Sequence, residues 1–135
     1  MRVILCLDDR NGMLFNHRRQ SRDRVVIQDI LESQAGKKLW IRPISTVLFQ
    51  GMEHAFQVEE HLLEQAGHGD WCFVEDLALS PYKRKIESVT VYRWNRHYPA
   101  DFYLDLDLKK GWRLIAQTEL KGYSHEKITK EIYEP

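Results

Sequence analysis

The stretch His17-Arg18-Arg19-Gln20-Ser21-Arg22-Asp23-Arg24 gathers four arginines in a chain whose formal net charge is zero. Guanidinium forks match the paired oxygens of phosphates and carboxylates. Ser21 reads as a helix cap, which would set the free N–H groups and positive dipole end of a helix among those arginines. Two readings follow. One is an anion site held by Arg18, Arg19 and Arg22, with Asn11 and Asp23 nearby. The other is a solvated surface segment whose charges pair with Asp8, Asp9 or Asp23.

Other chemistry-bearing residues are more scattered. Asp8-Asp9 offers hard oxygen ligands for a divalent cation, or simply a hydrated turn. His54, His61 and His68 recur every seven residues, but Gly67 breaks the pattern and nothing completes a zinc set. No metal site is expected. Ser124-His125-Glu126 lacks a Gly-x-Ser-x-Gly elbow and reads as surface polar residues. Trp94-Asn95-Arg96-His97-Tyr98 offers rings and a cation that suit a planar ligand, or that pack a hairpin. Walker and Rossmann glycine loops are absent.

The elements that must position these groups are clearer. Val3 to Leu7 and Trp71-Cys72-Phe73-Val74 are compact apolar runs, expected as strands buried on both faces. Ser88 to Trp94 is β-branched and aromatic, a third strand. Val26, Ile27, Ile30 and Leu31 fall at helical spacing, with Gly36 as the stop. Leu39-Trp40-Ile41 predicts a short strand before Pro43, and Ser45 to Gln50 one or two helical turns. Val58 to Gln65 reads as helix, and Ser80-Pro81 as a helix start running to Ile86. Phe102 to Leu106, Trp112 to Ile115 and Ile128 to Tyr133 predict antiparallel strands. Parallel βα units in front and a hairpin tail behind imply a mixed α/β sheet with flanking helices, in one domain over 1–135.

This order of phrases resembles the dihydrofolate reductase family. The first strand leads into Leu7-Asp8-Asp9-Arg10-Asn11-Gly12, then a polar loop and a helix. Later, Cys72-Phe73-Val74, Tyr82 to Ile86 and Val89-Thr90-Val91-Tyr92 precede Tyr98-Pro99-Ala100-Asp101-Phe102-Tyr103-Leu104-Asp105-Leu106 and Gly111-Trp112-Arg113-Leu114. The resemblance covers roughly residues 1–34 and 71–135. It implies the family's fold, NADPH as cofactor, a pterin-like substrate and Asp23 as the proton-relay carboxylate. The chain departs from the pattern at Glu75 and Asp76, which stand where the family's paired glycines let the backbone approach a pyrophosphate. Residues 35–70 are also short against the family's middle segment. Arg22 and Arg24 beside Asp23 are expected to lower its pKa, which does not suit a proton donor.

At 135 residues, with 43% hydrophobic and 30% charged side chains, the chain can bury one core and is not compositionally disordered. Charge neutrality excludes a globally basic nucleic-acid binder. No apolar run reaches the roughly eighteen residues of a membrane helix, and no signal peptide is evident. Cys6 and Cys72 lie in apolar runs and are expected as buried free thiols, so a cytoplasmic location is expected. The reading that results is a ligand-binding protein of reductase-like fold holding an anionic small molecule or nucleotide. The alternatives are an NAD(P)H-dependent reductase acting through Asp23, or a protein- or RNA-interaction module using the same arginines.

Overall fold

The computed structural model describes residues 1–34 and 36–135. Its centre is β1 (Arg2–Leu7), which pairs in parallel with β6 (Trp71–Phe73) on one side and β7 (Ser88–Arg93) on the other. Beyond β6 lie β4 (Leu39–Ile41) and β5 (Phe56–Val58), again parallel. Beyond β7 come β10 (Ile128–Glu134) and β9 (Arg113–Leu120), both joined antiparallel. The seven strands run β5-β4-β6-β1-β7-β10-β9. A small second sheet joins β2 (Gly12–Phe15), β3 (Arg18–Arg19) and β8 (Phe102–Tyr103).

Both faces of the central strands are covered, which is why their sequences are continuously apolar rather than alternating. Ile4, Phe73 and Tyr92 face helix α1 (Arg24–Glu32) through Val26, Ile27 and Ile30, with Leu48 and Phe49 from a 3-10 turn at Pro43–Phe49. Val3, Leu5, Leu7, Cys72, Val89 and Val91 face the opposite layer. That layer holds helix α2 (Leu62–Gln65), Leu79 and Ile86, with Leu104, Leu106, Leu108 and Trp112. Cys6 and Cys72 are free thiols, and burial pushes Cys72 up to about 12. No helix is long and apolar enough to cross a membrane among the described residues.

Several local expectations are corrected. Asp23, not Ser21, caps α1: its backbone is extended and its carboxylate accepts from the Val25 N–H. The helix closes at Ser33, whose N–H bonds the carbonyls of Asp29 and Ile30, rather than at Gly36. The expected helix over Val58 to Gln65 splits into β5, whose last residue is Val58, and the single turn of α2. Ser80 begins a 3-10 turn (Ser80–Lys85) without capping it. Asp105 does so from afar, accepting from the N–H groups of Leu79 and Ser80. The alternation after Phe102 therefore serves packing and capping more than pairing, since only Phe102–Tyr103 is strand.

Asp8 is not a hydrated turn residue. It is buried, and it accepts from the N–H groups of Arg10 and Gly12 and from the Gln20 amide. Burial opposes its charge, but those donors hold the carboxyl below its ordinary range. The knot is tight around Gly12, where a Cβ would lie 2.7 Å from the Asp8 Oδ2, the Gln20 Nε2 and the Ala100 Cβ. Gly12→Ala is expected to cost about 1–3 kcal/mol by overpacking, read as a lower urea midpoint with an unchanged slope.

Candidate functional site

The most highly organised polar cluster lies where the start of α1 meets the 121–127 loop between β9 and β10. Asp23 Oδ1 accepts from the backbone N–H groups of Val25 and Tyr123, both at 2.9 Å. Oδ2 accepts from the N–H groups of Ser124 and His125 and from the Ser124 hydroxyl. Oδ2 also lies 2.9 Å from His125 Nδ1. The Asp23 side chain has 0% exposure and that of His125 4%. Burial works against the carboxylate charge, but the Tyr123 N–H, the His125 ring and the Ser124 and Val25 N–H groups outweigh it. They hold the Asp23 carboxyl far below its usual range.

The cause is therefore not the neighbouring arginines. Arg22 is exposed, and Arg24 lies over the Tyr123 ring, 4.0 Å from its centroid. Since both Asp23 oxygens are occupied by donors to the ionised form, the carboxyl is not set up to release a proton to a substrate.

His125, expected at the surface, is buried. An ionised Asp23 can only accept, so Nδ1 carries a proton, and in the neutral imidazole the lone pair is on Nε2. Nε2 lies 2.9 Å from Ser21 Oγ and 3.3 Å from the Tyr98 hydroxyl. Trp94 stacks on the imidazole at 4.6 Å between centroids, so of the two readings of this ring the packing one holds. Gly122 makes the approach possible: a Cβ there would lie 2.6 Å from both Asp23 Oδ2 and the His125 carbonyl. Ser21, His125, Tyr98 and Gly122 were not legible as a unit, because Ser21 and His125 are 104 positions apart.

Arg18, Arg19 and Arg22, expected to hold one anion, do not converge. Arg22 lines a cleft of about 650 Å³ between α1 and the Pro43–Phe49 turn, with Arg24, Gln28 and Tyr123 at the rim and Ile27 and Leu48 below. Arg18 is exposed beside a smaller cleft lined by Phe15 and Tyr98. Arg19 turns inward: its Nε and Nη2 grip the Glu75 carboxylate at 2.9 Å each, and Nη2 also donates to the Ile44 carbonyl. Asn11, at φ 62°, accepts from Arg93 Nη1 and lines a third cleft with Asp9 and Arg10.

The resemblance implies a dinucleotide beside Glu75 and Asp76. Glu75 is held by Arg19 and by the Ser45 hydroxyl, and Asp76 by both Nε and Nη2 of Arg42. The adjoining cleft is lined by Asp76 and Asp101 with His17. A pyrophosphate would have to break both ion pairs and then face the released carboxylates, so the residues present do not fit it. Among the described residues, no three His, Cys, Asp or Glu side chains converge as a metal site.

Because the folded Asp23 carboxyl lies below its ordinary value of 3.8, it contributes stability that is complete above that value and is lost as pH falls through and below it. Asp23→Asn should flatten this acid limb of the stability–pH curve and lower the neutral-pH stability by about 3–5 kcal/mol. Gly122→Ala should destabilise by about 1–3 kcal/mol and disturb the Trp94 near-UV signal as the stacked His125 shifts.

No family model matches the sequence, and no curated protein matches it. A search of solved structures finds dihydrofolate reductase from Enterococcus faecalis complexed with NADP(H) and RAB-propyl, at a TM-score of 0.67 and 11% identity. The match covers 98% of this chain and 94% of that one. At that identity the likeness is one of fold alone: the chain has a dihydrofolate reductase-like fold.

Proposed function

We propose that the chain binds an anionic small molecule in the cleft between α1 and the Pro43–Phe49 turn. The observation that carries this reading is the pair Arg22 and Arg24, which line the cleft and make no ion pair with any carboxylate among the described residues. Guanidinium groups outside any ion pair can take phosphate or carboxylate oxygens. Arg24 over the Tyr123 ring offers a flat surface, and Ile27, Leu48 and Met52 supply apolar walls. A planar anion such as a mononucleotide suits that combination. Arg18 lies outside this cleft, and Arg19 and Asn11 are engaged elsewhere, so the binding role narrows to Arg22 with Arg24.

NAD(P)H-dependent reduction of a pterin-like ring remains compatible with the fold. The paired acids Glu75 and Asp76 and the saturated Asp23 both speak against it.

A thermal-shift series with inorganic phosphate, mononucleotides and NADPH tests the reading. A ligand at a hundred times its Kd adds about 2.7 kcal/mol to stability, which raises Tm by several degrees. The mononucleotide shift is expected to vanish in an Arg22→Ala/Arg24→Ala double variant. Equal shifts in variant and wild type, or none in either, would refute it. A nucleic-acid partner would instead give binding that weakens steeply with salt.

A further inference from the structure

We propose that Ser21 is a nucleophile activated by His125 and oriented through Asp23, which gives the chain an acyl-transfer activity toward small carboxylic esters. The geometry supplies each element of such a relay: Ser21 Oγ at 2.9 Å from Nε2, and Nδ1 at 2.9 Å from Asp23 Oδ2. An activated nucleophile is recognised by a base within hydrogen-bond reach that is itself held by a third group. Here the third group is a buried carboxylate that can only accept, so the neutral imidazole turns its lone pair toward Ser21.

The surroundings fit the role. Asp23 and His125 are shielded from solvent, whereas Ser21 is only partly buried, so the nucleophile is the accessible member. Trp94 against the imidazole limits rotation of the base. Ser21 is also free of the duty its type suggested, because Asp23 caps the helix. Its sequence neighbours Gln20 and Arg22 each line a cleft.

In the reaction, Ser21 Oγ bonds to the ester carbonyl carbon as its proton passes to His125 Nε2. The bond to the leaving oxygen breaks, and that oxygen takes the proton and departs as an alcohol or phenol. Water then attacks the acyl-serine, giving its proton to Nε2. The carboxylic acid leaves as the proton returns to Ser21. The inference does not rest on the anion-binding reading, because the test substrate carries no anionic group.

The full chain is mixed with p-nitrophenyl acetate, and p-nitrophenolate release is followed together with intact mass and peptide mapping. A release burst and one acetyl group on Ser21 are expected. Ser21→Ala should abolish both while leaving the circular dichroism unchanged. His125→Gln should slow acylation by at least about a hundredfold, and a fluorophosphonate should label Ser21 in the wild type alone. Acetyl groups spread over lysines or placed on Tyr98, or labelling undiminished in Ser21→Ala, would overturn the proposal.

Discussion

A carboxylate cut off from solvent persists as an ion only when donors surround it, and Asp23 meets that condition with groups from two distant regions of the chain. Val25 supplies one from the helix it caps, while Tyr123, Ser124 and His125 supply the others from the loop between β9 and β10. Much of the local architecture follows from this arrangement. The helix begins at Arg24 because the extended residue before it is the cap. The loop closes without a side chain at Gly122 because the carboxylate occupies that space. The imidazole of His125 has a single tautomer because its neighbour cannot donate.

The same exchange of charge for burial recurs at the same carboxyl end of the parallel strands, after β6. Glu75 and Asp76 follow β6, and each is matched by an arginine from a neighbouring segment. The zero net charge of the chain thus conceals specific pairings, in which half-buried guanidiniums from β3 and from the residue after β4 neutralise two adjacent acids. A dihydrofolate reductase-like fold leaves the polar chemistry at those strand ends open, since architecture does not dictate what the loops bind.

The central strands were readable because burial on two faces leaves an unbroken apolar run, as in Val3–Leu7 and Trp71–Phe73. The apolar face of α1 was equally plain in Val26, Ile27 and Ile30. Where reading failed, the deciding partner lay elsewhere in the chain. Ser21 and Asp23 are both competent caps, and only the 121–127 loop chooses between them. Ser80-Pro81 looks like a self-capped start, yet Asp105 does the capping. Arg19 looks like an anion ligand until Glu75 is brought beside it. Phe56–Val58 is too short to announce a period, so β4 had to reveal it as a strand. His125 carried no local signature at all, because its closest ring partners, Ser21 and Asp23, sit about a hundred residues upstream.

That separation has a kinetic corollary. During synthesis the first helix emerges long before the loop that completes its cap, so for most of elongation Asp23 is a hydrated acid with only one local donor. Contacts spanning 102 positions demand a costly loop closure and are among the last to form. On the nascent chain, the segment around Ser21 therefore stays unfinished until the β9–β10 hairpin docks. Final assembly of the cluster is a late step of folding, gated by emergence of that hairpin from the ribosome.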